Sequence, residues 1–357
     1  VTNGTPDSTV PTDLPVTLHV FSEMEETETY TTTLTADGSF GFDIPAPEAE
    51  DTIMARVVYQ DVAYVSDFVT IEAEQTELDL PVTIYETTEF PDNIQVTQLH
   101  LFISRVEDGI QIGEYHMVGN AGDRTFVGIE DAEAEWRTTL NITLPDGAES
   151  LNFDGPGLGE RFLEREDGFA DTEPISPGEA TSRILFSYEL PYREGMQVER
   201  TFDAPVASVV ILLSDEGLAL EGEGVIPGDP MDTQMGPALS YTAGPLAAGS
   251  PLVFKLVAGS PAMPPTPAGV APPRNTTREI AIGLTALAAT VAAVYGMYRS
   301  PSPGPIPGQA RPLVEKIAAL DADFEAGRVA KKTYRKKRKA LKREVRGLVG
   351  KMEKRKR

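Results

Sequence analysis

The side chains that could do chemistry in this sequence begin with its three histidines. Glu114 and His116 share one face of a predicted strand, because side chains two residues apart point the same way. A carboxylate beside an imidazole could bind a metal ion or transfer a proton. Without a third ligand nearby, a solvated strand position is the favoured interpretation. His19 and His100 also lie within predicted strands, away from the apolar faces.

Residues 153–179 form the longest stretch without a strand pattern, and the most acidic one. Asp167, Asp171 and Glu173 could supply oxygen ligands to Ca²⁺, which favours carboxylates on a bent backbone. The spacing of an EF-hand is missing. The alternative is a partner-binding loop, since long loops on β-sandwiches often carry binding residues. Ca²⁺ is the only cofactor that the residues suggest.

The composition excludes several kinds of catalytic site. The chain has no cysteine, which excludes disulfides, thiolate metal sites, Cys nucleophiles and attached haem. The G-x-S-x-G pattern of serine hydrolases is absent. The 55 Asp and Glu residues supply so many carboxylate pairs that none stands out as a glycosidase pair. We therefore predict no catalytic residues and a protein that is not an enzyme.

The charge is distributed very unevenly along the chain. From Arg299 onward there are 19 Lys and Arg residues against 6 Asp and Glu, a net charge of +13. Residues 1–298 hold 12 basic and 49 acidic residues, a net charge of −37. A change of sign of this size indicates two compartments. The acidity of the larger part argues against nucleic acid or anionic lipid as its partner.

The net charge of the chain changes sign at an uncharged run of 19 residues, 280–298. An α-helix needs about 20 residues to cross the hydrocarbon layer, so the run predicts one transmembrane helix. The positive-inside rule then places the basic tail in the cytoplasm and the acidic part outside the plasma membrane. The alternative, a buried helix of a soluble domain, is disfavoured because the Pro/Ala-rich linker 259–279 offers no such domain. Since the chain begins with Val1, we expect that a signal peptide has been removed.

Residues 13–85 alternate between apolar and polar side chains in short segments. In PVTLHVFS, the side chains of Val16, Leu18 and Val20 share one face. Asp37-Gly38 supplies a turn. Segments such as IMARVVYQ and AYVSDFVTI follow at the spacing of a small β-sandwich.

A family resemblance covers about 75 residues of this part. It is carried by Val16-Thr17-Leu18, by Thr35-Ala36-Asp37-Gly38-Ser39-Phe40, and by Ala55-Arg56-Val57-Val58-Tyr59 with Val65-Ser66-Asp67. These segments resemble the carboxypeptidase regulatory-like, or transthyretin-like, β-domain. The resemblance implies an accessory or binding module without a catalytic centre, and it transfers no site residues.

Residues 86–258 continue with strand patterns. TQLHLFIS and GIQIGEYHMV predict a hairpin across residues 107–109, and SRILFSYEL and MQVERTF predict another across 191–195. VASVVILL predicts a strand buried on both faces, and PLVFKLVAG is the last strand. The pattern leaves open whether this region is one large sandwich or two small ones.

The tail contains two apolar stripes at helical spacing. Leu313, Ile317, Leu320 and Phe324 form the first, Gly327 can end that helix, and the second runs from Tyr334 to Met352. We therefore predict a short helical hairpin. The pattern from Leu320 to Lys342 is similar to helical-hairpin tails of bacterial membrane proteins, some of which accompany cytochrome c maturation.

A basic run in the tail is the predicted contact with lipid or with a cytoplasmic partner. Attraction to anionic headgroups of the inner leaflet is the favoured interpretation, and docking to an acidic protein is the alternative. Tethering to a membrane counts against nucleic acid as the partner. The residues of this predicted contact are Lys331, Lys332, Arg335, Lys336, Lys337 and Arg338.

The predicted fold class is an all-β ectodomain of tandem antiparallel β-sandwiches, of immunoglobulin-like or transthyretin-like type, plus one transmembrane helix and a short α-helical hairpin tail. The predicted parts are an N-terminal extension (1–12), the regulatory-like sandwich (13–85), the second sandwich region (86–258), the linker (259–279), the transmembrane helix (280–298), a Pro-rich spacer (299–310) and the basic tail (311–357).

These observations favour a non-enzymatic, membrane-anchored accessory or scaffold protein. Its outer domains would bind a protein or a surface ligand, and its partners would be proteins of the cell envelope. Three alternatives stay open. They are an assembly factor linked to cytochrome c maturation or to a respiratory complex, an extracytoplasmic hydrolase supported by Ca²⁺, and a transmembrane sensor.

Overall fold

The computed structural model describes residues 1–259, apart from 23–24, 45–50, 73–74, 76, 108, 131–135, 215–216 and 234–235. These residues belong to the first of two compact units of the chain, Val1–Val294. The predicted transmembrane helix 280–298, the helical tail and its basic run from Lys331 to Arg338 lie outside the described residues. Within the described residues, no helix has the length and apolar character needed to cross a membrane.

The described part of the chain is all-β and resembles a β-sandwich, as the alternating patterns predict. The strands up to residue 88 are β1 (Thr2–Asn3), β2 (Pro15–Ser22), β3 (Glu25–Thr33), β4 (Thr52–Tyr59), β5 (Val62–Val65), β6 (Val69–Thr70), β7 (Thr83–Ile84) and β8 (Thr87–Thr88).

The strands from residue 94 onward are β9 (Ile94–Arg105), β10 (Gly109–Asn120), β11 (Thr125–Phe126), β12 (Ile129–Glu130), β13 (Arg137–Thr138), β14 (Leu140–Thr143), β15 (Glu149–Phe153), β16 (Phe162–Arg165), β17 (Gly168–Asp171), β18 (Gly178–Pro191), β19 (Gln197–Thr201), β20 (Val209–Leu213), β21 (Leu218–Glu221), β22 (Ile226–Pro227), β23 (Met231–Thr233), β24 (Gly236–Ala243) and β25 (Pro251–Ala258).

The N-terminal strands form a five-stranded sheet in the order β3-β2-β4-β5, with β6 also paired to β4. The inward face of β2 carries Val16, Leu18 and Val20, which are buried as their alternation predicts. The backbone of Thr35 bonds across the Asp37-Gly38 turn to Ser39. Residues 1–12 are attached to this region, because β1 pairs in parallel with β7.

The larger region is built on an eight-stranded sheet in the order β15-β18-β10-β9-β20-β24-β22, with β23 paired to β24. The long hairpin of β9 and β10 confirms the one predicted across residues 107–109. Strand β20 lies between β9 and β24. Its residues contribute to the main core on one face and to a smaller apolar cluster around Phe102 and Leu212 on the other. The prediction that this strand is buried on both faces is therefore confirmed.

Two three-stranded sheets, in the orders β14-β17-β16 and β19-β25-β21, form the second layer of this region. Apolar side chains from both of them share one buried cluster with the inner face of the eight-stranded sheet. The core therefore lies between one wide sheet and a second layer that is divided in two. β14 is an edge strand of the first small sheet, and β19 is an edge strand of the second. The short strands pair as two further sheets, β11 with β8 and β12 with β13.

Two expectations about this region are wrong. Strands β18 and β19 do not form a hairpin, because β18 pairs with β10 and β15 whereas β19 pairs with β25. Residues 191–196 cross from one layer to the other, since both strands bury their alternate side chains in the core between the layers. Residues 153–179 are not one irregular loop either, because β16 and β17 form a hairpin within them.

A close approach of two backbones in the wide sheet generates a test of the fold. A Cβ atom on Gly119 would lie 2.5 Å from the Glu179 carbonyl oxygen and 2.8 Å from Cγ2 of Thr97. We expect Gly119→Ala to lower the free energy of unfolding of the full-length chain by about 1–3 kcal/mol, since β10 and β18 must separate. Gly41→Ala is the control, because nothing lies within 4 Å of that site. Equal denaturant midpoints for the two variants would contradict the arrangement of β10 and β18.

Candidate functional site: a groove beside a buried ion pair

A buried carboxylate on β10 is the centre of the polar side chains in the larger core. Glu114 is 0% exposed. Its Oε1 accepts hydrogen bonds from the Tyr188 hydroxyl at 2.8 Å and from Arg200 Nε at 2.6 Å. Its Oε2 accepts from Arg200 Nη2 and from His116 Nε2, both at 2.9 Å. Both carboxylate oxygens are therefore fully engaged within the protein.

The partner of this carboxylate comes from the opposite layer. Arg200 projects inward from β19, is 2% exposed and grips Glu114 with two nitrogens. Its third nitrogen, Nη1, donates to the carbonyl oxygen of Thr143 at the end of β14. One guanidinium thus connects the wide sheet to both small sheets. Such a fork of fixed donors suits arginine rather than lysine.

The charges of this cluster are fixed by their surroundings. Burial alone would raise the pKa of Glu114, but the charge of Arg200 and hydrogen bonds from His116 and Arg200 lower it to about 2. Burial, and then the adjacent Glu114 charge, raise the pKa of Tyr188 well above its ordinary value. At physiological pH the cluster therefore holds an ionised carboxylate, a guanidinium and a neutral phenol. Such a carboxylate is a poor general base.

His116 is 1% exposed, so the interpretation of a solvated strand position is wrong. The pattern could not show this, because the polar face of β10 is covered by the second layer. An ionised carboxylate only accepts hydrogen bonds, so His116 Nε2 carries a proton. Nδ1 has no hydrogen-bond partner among the described residues. A cavity of about 10 Å³ beside the ring is at the lower limit for one water molecule.

An open groove lies next to the buried cluster, between β19 and the turn that follows β14. Its volume is about 720 Å³, within the range of roughly 300–1,000 Å³ usual for ligand sites. Apolar and charged side chains both line it. The lining residues are Thr143, Leu144, Pro145, Asp146, Gly147, Leu190, Pro191, Arg193, Met196, Gln197, Glu199, Arg200 and Thr201.

The backbone of β19 faces this groove with one of its two edges. The Leu256 amide donates to the Met196 carbonyl. In the register of this ladder, the backbone groups of Met196, Val198 and Arg200 therefore form the hydrogen bonds with β25. Because backbone groups of a strand alternate between its two sides, those of Gln197, Glu199 and Thr201 point away from β25. In the described part of the chain, no strand pairs with this edge.

The groove is closed at one end where β14 approaches β19. The Thr143 hydroxyl donates to the Thr201 carbonyl at 3.4 Å, and the Asn141 amide group donates to Asp203 at 3.1 Å. These two contacts imply that the chain segments run antiparallel, and no backbone ladder joins β14 and β19 among the described residues. From this closed end the groove extends to Gly147 and Gln197.

The residues predicted to bind Ca²⁺ lie on and after the β16–β17 hairpin. Arg161 donates to both oxygens of Asp171, at 2.8 and 2.6 Å, and forms a 2.6 Å ion pair with Glu173. Asp167 lies in the turn, where its carbonyl accepts from the Leu144 amide. An arginine therefore holds two of the three carboxylates together. In the described part of the chain, no group of three or more metal-ligating side chains is assembled. The Ca²⁺ site stays a prediction.

The other two histidines occupy different environments. His100 lies on the outer face of the wide sheet, where its ring packs against Phe102 and Tyr115. Burial lowers the pKa of His100 to about 4, so it is neutral at physiological pH. His19 is partly exposed and bonds to Glu26 at 3.1 Å. His100 lies on the face of the wide sheet opposite to Glu114, and His19 lies in the N-terminal sheet.

A group of exposed apolar side chains lies where the two regions meet. Phe90, Ile129 and Trp136 are 75%, 52% and 54% exposed. The residues next to them in the chain form ion pairs, because Arg137 pairs with Glu89 at 2.6 Å and with Glu130 at 3.3 Å. Exposed aromatic and aliphatic side chains at one place are typical of protein contacts.

The sequence pointed to Glu114 and His116 but missed Arg200 and Tyr188. Arg200 lies at an inward position of β19, between Val198 and Phe202. An arginine at an apolar position of an alternating strand was the available signal, because a buried charge must be paired. Which carboxylate pairs with it depends on contacts 86 residues apart.

Comparisons with known proteins give no family for this chain. No protein-family model matches it, and no curated protein matches it by sequence.

The ion pair predicts strong energetic coupling between β10 and β19. Glu114→Gln should lower the free energy of unfolding by about 3–5 kcal/mol, because it leaves the buried Arg200 charge unpaired. Arg200→Met should cost a similar amount, and the double variant far less than the sum. Chemical denaturation of the full-length chain measures this cycle. The exposed pair Glu130–Arg137 is the control, with an expected coupling below about 1 kcal/mol. Additive effects of the two buried substitutions would contradict the pairing.

The lowered pKa of Glu114 predicts loss of stability in acid. The folded-state pKa, about 2, lies below the ordinary value of 4.5. The stabilisation is therefore complete above the ordinary pKa and is lost as the pH falls toward 2. We expect the free energy of unfolding of the wild type to fall more steeply below about pH 4.5 than that of Glu114→Gln. Parallel curves for the two proteins would show that Glu114 does not titrate as described.

Proposed function

We propose that this chain is a non-enzymatic accessory or scaffold protein, anchored in the plasma membrane by residues 280–298. Its β-domains lie outside the membrane and bind a protein or surface ligand, and its basic tail contacts the inner leaflet or a cytoplasmic partner. The observation that carries the proposal is the contrast between the closed ion pair of Glu114 and Arg200 and the open groove beside it.

The side chains that resemble a catalytic set are engaged in holding the sheets together. Glu114 has no exposed surface, and four hydrogen bonds occupy its two oxygens. Its pKa of about 2 leaves it without a tendency to accept a proton near neutral pH. The groove, in contrast, offers open volume, backbone groups and apolar walls. This arrangement is suited to binding rather than to acid–base catalysis.

The location outside the membrane is supported by the charge pattern. The −37 net charge before Arg299 and the +13 net charge after it flank the uncharged run. An acidic surface suits an exposed domain, whereas clustered Lys and Arg next to a membrane helix are retained in the cytoplasm.

The two-part β-architecture supports a role as tandem binding modules. The apolar cluster around Val16 and Val57 and the larger one around Leu99 and Phe254 are separate cores. The first contains the segments that resemble the carboxypeptidase regulatory-like domain. The two parts are joined by hydrogen bonds such as the one of 2.8 Å between the hydroxyls of Tyr64 and Thr125. The exposed group of Phe90, Ile129 and Trp136 lies near this junction and supplies a second surface for a protein partner.

The absence of cysteine permits a direct test of the orientation. We expect Gly41→Cys, at an exposed site with open space around it, to react with a membrane-impermeant maleimide in intact cells. Gln309→Cys, in the spacer after the apolar run, should react only after permeabilisation. The cysteine-free parent is the control for background labelling. Equal labelling of both positions in intact cells, or recovery of the chain in the soluble fraction without detergent, would contradict the proposal.

A further inference from the structure

We infer that the groove-facing edge of β19 is a strand-addition site, which binds an extended peptide segment carrying Lys or Arg side chains. The inference rests on the proposed function, since it specifies how the outer domains bind a protein partner. Main-chain hydrogen bonds to a sheet edge supply affinity in this mode of recognition, and alternate side chains supply specificity.

The edge carries a row of backbone donors and acceptors, and the backbone of an extended peptide can form hydrogen bonds with all of them. The amides of Gln197, Glu199 and Thr201 and the carbonyls of Gln197 and Glu199 lie on the edge of β19 that faces away from β25, beside the groove. The carbonyl of Thr201 is already bonded to Thr143. Five residues of strand span about 16 Å, which sets the length of segment that can pair.

The groove next to this edge has room for an added strand. Its volume of about 720 Å³ lies directly beside residues 196–201. The wall opposite β19 is the turn at residues 144–147, where Pro145 has no amide hydrogen to compete for the strand. Leu144 and Met196, both partly exposed, supply apolar surface for side chains that alternate along the bound segment.

The charges around the groove favour a basic segment. Two acidic residues of the lining, Asp146 and Glu199, are exposed. The lining also contains two arginines, of which Arg193 is exposed and Arg200 belongs to the buried cluster. The charge of Arg200 is neutralised by Glu114 at 2.6 Å. The surroundings share this sign, since residues 1–298 have a net charge of −37. A Lys or Arg side chain opposite Glu199 would add electrostatic attraction and accelerate binding.

The edge is held in position before any partner binds. Arg200 fixes β19 to Glu114 in the wide sheet, and the ladder with β25 holds its other side. A binding strand that is already ordered loses little conformational entropy on association. The buried ion pair therefore has a consequence for binding, although it touches no ligand.

The test uses a probe peptide whose backbone can be blocked on either side. The probe is Lys-Val-Thr-Val-Lys-Val-Thr-Val-Lys, fluorescently labelled, with the full-length chain in detergent. Two further forms carry N-methyl groups on the odd-numbered or on the even-numbered residues. Since the amides of a strand alternate in direction, we expect one form to lose affinity by about tenfold or more. The other form should stay within about threefold of the parent peptide.

A matched pair of variants tests the protein side of the same bonds. The Glu199 amide faces the groove, so Glu199→Pro removes a donor to the ligand and leaves the ladder with β25 intact. We expect Glu199→Pro to weaken binding of the probe by about tenfold, and Glu199→Gln by only a few fold. An unchanged melting temperature of Glu199→Pro verifies that the fold is retained. If that variant unfolds, the two N-methylated probes on the wild type still decide the matter.

Three results of the peptide-binding experiments would overturn the strand-addition site. They are absence of saturable binding up to about 1 mM probe, equal binding of both N-methylated forms, and equal binding to a folded Glu199→Pro variant.

A photo-crosslinking amino acid in place of Glu199 or Trp136 separates this inference from the proposed function. Crosslinks to protein in intact cells from position 136 alone would refute only the strand-addition site. Crosslinks from neither position would refute the proposed function as well.

Discussion

The arrangement of the larger region depends on one buried ion pair, between Glu114 of the wide sheet and Arg200 of the opposite layer. Two charges removed from water are tolerated only when their geometry and their remaining hydrogen bonds are nearly complete. Here Tyr188 and His116 occupy the other lone pairs of the carboxylate, and the Thr143 carbonyl accepts from the guanidinium. Replacement of such a pair by well-packed apolar side chains is often neutral or stabilising in proteins. The bonds of this pair connect β10, β14 and β19 at defined positions.

Between β14 and β19 the second layer is divided into two sheets, and no described strand pairs with one edge of β19. The Arg200 side chain spans the space between β14 and β19, and its bond to Thr143 holds the end of one small sheet near the other. Side chains make the contact between these strands, so backbone groups on the outer edge of β19 remain available. The same guanidinium thus closes the core and leaves a groove beside it. In the proposed strand addition, the side chain that fixes the core also positions the binding edge, although Arg200 itself is only 2% exposed.

Much of the fold followed from local patterns, whereas the site depended on contacts distant in sequence. The alternation of Val16, Leu18 and Val20, the hairpin of β9 and β10 and the doubly buried β20 were all predictable, because strand periodicity and turns are local signals. The crossing at residues 191–196 was not predictable. The same turn-forming residues can connect two strands of one sheet or two strands of different layers. His116 was misjudged for a related reason, because alternation shows which face a residue occupies but not what covers that face. The groove has no sequence pattern of its own, because it arises where two unpaired strands approach through Thr143 and Thr201, which are 58 residues apart.

Residue-resolved hydrogen exchange of the full-length chain along β19 tests most directly whether this strand is fixed on one side and open on the other. The account predicts alternation, with slow exchange of the Val198 and Arg200 amides, which pair with β25, and fast exchange of the Gln197 and Glu199 amides, which face the groove. Uniform protection of all four amides would mean that the edge is already paired. Uniformly fast exchange would mean that the ion pair does not hold β19 in place, and either result would contradict the account.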